Sequence, residues 1–487
     1  MINNLGRSSK LSTIILISIL GLAFYITYSF RQDYSYPIHG DEWVHWAYSE
    51  AILQTESITF GDPFFGEATL GPTTNMETGF HLFWVMFRLI TDISWLDIFR
   101  CLPSVIFMIT VLMVYVLTAK EGFGLEAALF TCLMPTTVGI LGPALLVPVA
   151  IGMLFAALIF YFVFNFNSWL SYLIICIVTF FILSMHPPSA IIICTMLIPY
   201  TVINMRGNFK HSLGIVLSLL MPFVASLAWA FDRLAYEIKT FFTFQHYEEN
   251  VSIPSIIETY GYLPIVISIL GIVLLLLKGG KKNYGLVFGL LTLTILLVAF
   301  ARLHFGIPIL YQRGLLYLIL MLAILAGVGL ASVRTVRFPI KSTNRFMLIS
   351  AKNVGSVLFL VIACVVLVLG IPSRLQTYHH QFINEEDYQA FVWIRDNLNE
   401  QYQKALLDPW KATAFTAITQ KNIFTRIHDS VKDSDEKAYE ILEDGCIDIS
   451  FLRENAISII YGQCDSDNPE LIEIRNNIYV LREVDDE

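Results

Sequence analysis

The sequence predicts an α-helical polytopic membrane protein of about eleven spans, with a small α/β domain at its C-terminal end. Three observations predict it. The 487 residues are 56% hydrophobic and only 15% charged, where soluble chains carry about 25% charged residues. The apolar residues gather in tracts near 20 residues long, the length that crosses a hydrocarbon core of about 30 Å. The charge is also divided. Residues 372–487 hold 23 acidic residues against 11 Lys/Arg, whereas 1–371 hold 17 against 20. An acidic soluble domain thus follows a mildly basic membrane body, 1–371. Neither part has the basic stripe that a nucleic-acid binder needs.

The spans follow in chain order. Residues 11–30, 98–118, 147–164, 212–230 and 354–371 read as spans at once. The less clean tracts 124–140, 168–185, 188–204, 259–277, 284–300 and 307–330 bring the total to eleven. No small-x-small cleavage site follows the first tract; Arg31, Gln32, Asp33 and Tyr34 do, so it reads as an anchor rather than a cleaved leader. Arg7 and Lys10 precede it and place the N-terminus in the cytoplasm. The C-terminal domain then lies outside. With this orientation 13 Lys/Arg fall in or near inner segments and seven near outer ones before residue 372. The dense clusters at 278–282 and 334–352 are inner, as the positive-inside rule requires. The apolar stretch 80–91 is only about a dozen residues long and reads as an interfacial or re-entrant helix.

Unusual polar residues then collect on the outer face. The loop 31–97 opens with His39, Gly40, Asp41, Glu42, Trp43, Val44, His45 and Trp46. Two carboxylates and two histidines that close together suit general-base or metal chemistry. Asp41 could equally cap a helix over 42–53. Pro72 and the glycines Gly71 and Gly79 enforce turns before Phe80 and His81. Glu77 and His81 are spaced i,i+4, although Gly79 between them weakens a helical reading. His186 is followed by Pro187 and Pro188, which stop one helix and start another. That histidine suits an anionic headgroup or a helix-end carbonyl. The loop 231–258 is rich in charge, is long enough to form a flap, and includes the sequon Asn250-Val251-Ser252. Arg302 and His304 follow one span, and Arg313 lies a turn or two inside the next. An arginine in an apolar tract is costly and a functional candidate. Its forked donors suit phosphate, and snorkelling to the interface is the other reading. There is no Gly-x-x-x-x-Gly-Lys-Ser/Thr loop and no Gly-x-Gly-x-x-Gly helix start, hence no sign of cytoplasmic nucleotide binding.

The tail has ordinary soluble composition. Its patterning predicts helices at 385–398, 411–419 and 434–443, and strands at 404–407, 456–461 and 477–481. This mixture predicts a small α/β domain. Cys446 and Cys464, eighteen apart, suit a disulfide in an oxidising compartment.

The pattern resembles the GT-C superfamily of polytopic glycosyltransferases, the distant relatives of oligosaccharyltransferase, protein mannosyltransferases and aminoarabinose transferases. Asp41-Glu42, about ten residues past the first span, matches the position of that superfamily's acidic motif. Gly79-Phe80-His81 resembles the Pro-rich approach to its interfacial helix, and Arg100 before a span ending at Lys120 looks like its second span. Ala390, Trp393, Ile394, Asp408, Pro409, Trp410 and the stretch Ala414 to Ala417 resemble the soluble extension of related membrane proteins. Two features depart from the superfamily. The Trp-Trp-Asp-Tyr-Gly signature of oligosaccharyltransferases is absent, and the segment from Gly139 to Gly142 has no carboxylate pair. The resemblance implies transfer of a sugar from a polyprenyl-phosphate-linked donor to a glycan, lipid or protein acceptor. It implies Asp41 or Glu42 as the base, with Asp41 a possible ligand for a divalent cation (Mg or Mn). His45, His81, His186, Arg302, His304 and Arg313 would bind substrate. An O-antigen-type ligase or polymerase, a transporter and a non-catalytic membrane protein are the rival readings. The absence of an internal repeat and the one-sided polar groups stand against the transporter.

Overall fold

The computed structural model describes residues 2–66, 68–71, 75, 77–137, 141–241, 253–304, 307–336, 345–376, 381–399, 401–427, 430–464 and 468–482. The chain divides into two compact units. One comprises Met1–Asp33 with Arg100–His379, the other Tyr34–Phe99 with His380–Glu487.

The first unit is helical. Among the described residues, eight helices are long and apolar enough to cross a membrane, or nine if one bent pair forms a single span. The eight are Lys10–Arg31, Trp95–Ala119, Pro148–Asn165, Pro187–Met205, Phe209–Ala228, Lys281–Leu303, Ile309–Val333 and Val354–Leu375. The chain is thus a multi-pass membrane protein, with fewer clear spans among the described residues than the eleven expected. Three tracts account for the difference. The expected span 124–140 is a nine-residue helix, Gly124–Cys132, only about 14 Å long at 1.5 Å per residue. Pro135 stands three residues past its end and bars continuation. The tract 259–277 breaks at Gly261, whose φ of 102° is open to glycine and hostile to other residues. The chain bends there by 107° between Pro254–Tyr260 and Tyr262–Lys278. Finally, Trp169–Met185 has 17 residues and is a shorter apolar helix. The segment expected as a loop from 231 starts instead as helix, because Phe209–Phe241 runs on past 230. The sequon Asn250-Val251-Ser252 and the charged stretch before it lie outside the described residues.

The core of this unit is Pro308–Val333, in which 89% of an 18-residue apolar window is buried. Glycines let neighbours reach it. A Cβ on Gly271 would stand 1.9 Å from the Leu325 carbonyl oxygen, and one on Gly329 2.1 Å from that of Ile267. These paired small residues bring two helix backbones together, as in other membrane bundles. Arg31, fully buried at the end of the first span, donates from Nη1 to the Ala144 carbonyl at 2.6 Å.

The second unit joins the first expected outer loop to the tail. The tail supplies a five-stranded mixed sheet in the order Asn422–Ile423, Lys404–Leu407, Ile459–Tyr461, Ile478–Leu481, Leu471–Arg475. The first three strands are parallel and the last two antiparallel. Helices Glu385–Asn397, Ala412–Thr419 and Asp433–Glu443 form close to where periodicity predicts them. Asn384 and Asp387 form a capping box on the first. Asp387, almost fully buried, also accepts from Lys411 Nζ and the Tyr461 hydroxyl, both at 2.7 Å. A disulfide joins Cys446 to Cys464.

Hydrogen bonds attach the 34–99 segment to this domain. Ile423 N donates to the Phe64 carbonyl at 2.8 Å. The Tyr36 hydroxyl donates to Glu385 at 2.5 Å, and Ile383 N donates to the Tyr34 hydroxyl at 3.3 Å. The helix Thr78–Thr91 has 14 residues. It buries Phe80, His81, Trp84 and Val85 and exposes Leu82, Phe83, Met86, Leu89 and Ile90. An apolar exposed face of that kind is what a helix lying in a membrane interface needs.

Candidate functional site

The site in the second unit is built by two helices. Gly40–Thr55 begins at His39, whose Nδ1 accepts from Asp41 N at 3.1 Å. His39, not Asp41, is therefore the capping residue, and Asp41 sits in the first turn with its carboxylate 3.9 Å from His39 Nδ1. Acidic side chains in a first turn complement the helix dipole. Glu42 is fully buried and its Oε2 accepts from Ile38 N at 2.9 Å, which holds the approach to the helix in place.

One turn further on, His45 points at the second helix. Glu77 precedes Thr78–Thr91 as its N-terminal flanking residue, and His81 lies one turn inside. The helix thus starts before Gly79, and the i,i+4 spacing places Glu77 and His81 side by side. His45 Nδ1 stands 3.0 Å from His81 Nε2 and 3.9 Å from Glu77 Oε2. One ligand atom from each of the three residues lies within 4.8 Å of the others. His81 has no exposed surface. Its burial, aided by the adjacent His45, pushes its imidazole well below the ordinary value of 6.5. At neutral pH His81 is uncharged, the form that ligates metal.

The group is compatible with a divalent cation. Tetrahedral metal–donor bonds of about 2.0–2.1 Å put ligand atoms about 3.3 Å apart, close to the shorter distances here. Two nitrogens and one carboxylate oxygen suit a zinc-like transition metal better than Mg, which prefers oxygen donors. Asp41, the expected ligand, is not one of the three.

Aromatic residues wall the group. Phe80 meets the His45 ring edge-on at 4.9 Å, and Tyr48 meets His81 edge-on at 5.3 Å. Tyr48 also contacts Phe64, at 5.7 Å. The Arg426 guanidinium stacks over Phe64 at 3.9 Å from the ring centre. Burial raises the Tyr48 phenol, and Arg426 beside it opposes that shift. Behind the site, Glu50 is held by Arg88 at 2.6 Å and by the Trp95 indole.

The remaining expected residues belong to the other unit. His186 closes Trp169–Met185 and opens Pro187–Met205. It is almost fully buried and its Nδ1 lies 2.6 Å from Ser189 Oγ. Arg302 is exposed in the last turn of Lys281–Leu303, and His304 closes that helix in the left-handed conformation at φ 49°. Arg313 is half-buried in the second turn of Pro308–Val333.

Sequence reasoning paired Glu77 with His81 by spacing without setting either beside His45, and it missed Tyr48 and Arg426. Nothing in the local pattern around Arg426 marks it, because its neighbours here come from more than 350 residues earlier in the chain.

A bundle of membrane helices with a mixed α/β soluble part is a fold that this chain shares with solved structures of an oligosaccharyltransferase and an arabinofuranosyltransferase. The crystal structure of the Archaeoglobus fulgidus oligosaccharyltransferase in the apo form matches with a TM-score of 0.61 at 10% identity, over 91% of this chain and 69% of that one. The same enzyme in complex with Zn and sulfate matches at 0.61 and 11%, over 92% and 67%. The arabinofuranosyltransferase AftD from Mycobacteria matches at 0.57 and 14%, over 93% of this chain but 35% of that chain. No family model matches the sequence, and no curated protein does.

Proposed function

We propose that this protein is a glycosyltransferase that moves a sugar from a polyprenyl-phosphate-linked donor to an acceptor on the extracytoplasmic side of the membrane. The observation that carries the reading is the GT-C fold over nine-tenths of the chain, with the Asp41-Glu42 pair on the first helix after the first span. The N-terminus is cytoplasmic, and residues 372–487 with the loop 31–97 face outward. Asp41, the more exposed of the pair, takes the proton of the acceptor hydroxyl as its oxygen attacks the anomeric carbon. The bond from that carbon to the phosphate oxygen breaks, and the polyprenyl phosphate leaves with the electron pair. In the first unit, Arg302, His304 and Arg313, with His186, are the groups assigned to phosphate binding, where fixed cations stabilise negative charge. Glu42 orients the helix start that carries Asp41. His45, Glu77 and His81 hold a divalent cation, which when bound supplies positive charge for an anionic substrate group.

The test is sugar transfer from a polyprenyl-phosphate donor in membranes carrying Asp41→Asn, Glu42→Gln or Arg302→Ala. Loss of a general base costs about 100-fold or more, so Asp41→Asn lowers the rate by at least that factor. Undiminished transfer in all three variants rejects the assignment.

A further inference from the structure

Arg426 is a half-buried cation of the second unit. Its guanidinium lies flat on Phe64, with Phe65 also within 5.9 Å. Its Nη1 is buried and, among the described residues, has no hydrogen-bond partner. No carboxylate among the described residues pairs with it, whereas Arg88, Arg395 and Arg453 in the same unit each have one. A buried guanidinium nitrogen without an acceptor is costly, because its desolvation is not offset by a hydrogen bond. Stacking on an aromatic face recovers only part of that cost; Tyr48 takes one hydrogen bond from the guanidinium, and Nη1 is left without an acceptor. The guanidinium also lies close to the triad: Tyr48 touches Arg426, Phe64 and the His81 ring.

We propose that Arg426 is the oxyanion-binding residue of this site, receiving a phosphate or carboxylate group of the ligand beside the His45–Glu77–His81 group. The planar fork matches two oxygens of either anion. The ligand is therefore bipartite in its contacts, with an anionic group on the tail's arginine and its neighbour near the triad. As a statement about the transferred substrate, this rests on the reaction proposed above; the binding itself does not.

The experiment uses the full chain in detergent with chelator present, so that no metal contributes. Inorganic phosphate, pyrophosphate and acetate are titrated against thermal unfolding and against modification of Arg426 by phenylglyoxal, read by mass spectrometry. Pyrophosphate or phosphate raises the unfolding temperature and slows modification of Arg426 at least tenfold if the group is a phosphate. Acetate does so if it is a carboxylate. Arg426→Gln abolishes the thermal shift and Arg426→Lys, which keeps the charge without the fork, weakens binding about tenfold. The modification readout needs no variant and so survives a misfolded Arg426→Gln. The proposal falls if no anion protects Arg426, or if Arg426→Gln binds as the wild type does. Oxyanion binding without sugar transfer counts against the reaction alone. Transfer without anion binding at Arg426 counts against this proposal alone.

Discussion

Removing His81 should abolish metal-dependent stabilisation of the second unit. The three donor atoms lie within 4.8 Å of one another, with the closest pair at 3.0 Å. Tetrahedral coordination asks for about 3.3 Å between donors, so the two histidines separate slightly and the Glu77 carboxylate closes in. Those shifts are small side-chain rotations. A metal at 100 times its Kd stabilises the folded state by about 2.7 kcal/mol. The unit spans residues 34–99 and 380–487, a size at which each kcal/mol moves Tm by about 2–4 °C. Zinc should therefore raise its unfolding temperature by roughly 5–11 °C, reversibly on adding chelator. The assay is thermal unfolding of the full chain in detergent, read by the near-UV signal of the stacked Trp43 and Trp46. With His81→Ala the starting Tm falls, because a buried side chain is lost, and the zinc-induced increment disappears. Two results would refute the reasoning: no increment in the wild type with zinc, cobalt or nickel, or the same increment in His81→Ala.

Acid should destabilise the same unit through His81. Its folded value lies below the ordinary 6.5, so the unfolded chain binds the extra proton, and stability present above pH 6.5 drains away below it at up to about 1.4 kcal/mol per pH unit. An acid titration of the unfolding midpoint checks this, and His81→Phe should flatten the slope between pH 6.5 and 5. Reducing the Cys446–Cys464 disulfide opens a loop of 18 residues, worth about 3 kcal/mol by chain entropy. Denaturant unfolding with and without reductant measures it, and an unchanged midpoint would show that the bridge adds nothing to the folded tail.

How much of this was legible beforehand depends on the range of the interactions concerned. Hydropathy marks a span because one helix must satisfy its own backbone bonds in lipid, so Trp95–Ala119 and Pro148–Asn165 match their tracts within a few residues. Alternation and capping are equally local, which is why Glu385–Asn397 and Lys404–Leu407 fall where patterning puts them. The same local logic failed at 124–140, where summed hydropathy outweighed Pro135, and at Gly261, where a single residue turns the chain by 107°. The functional residue types were also visible: Asp41, Glu42, His45 and His81 stand out as polar groups in an apolar chain.

The sequence by itself determined a membrane body, an acidic tail and an unusual polar loop, because each is written in consecutive residues. Tertiary structure alone decided what that loop belongs to. Through Phe64 and Ile423, Tyr36 and Glu385, and Tyr34 and Ile383, the segment 34–99 folds with a tail that begins nearly 300 residues later. It also decided that His45 meets Glu77 and His81 across two helices, and that Arg426 is sheltered on Phe64 beside them. The reason is physical: burial and pairing of charged groups depend on contacts between distant segments, and no local period records those contacts.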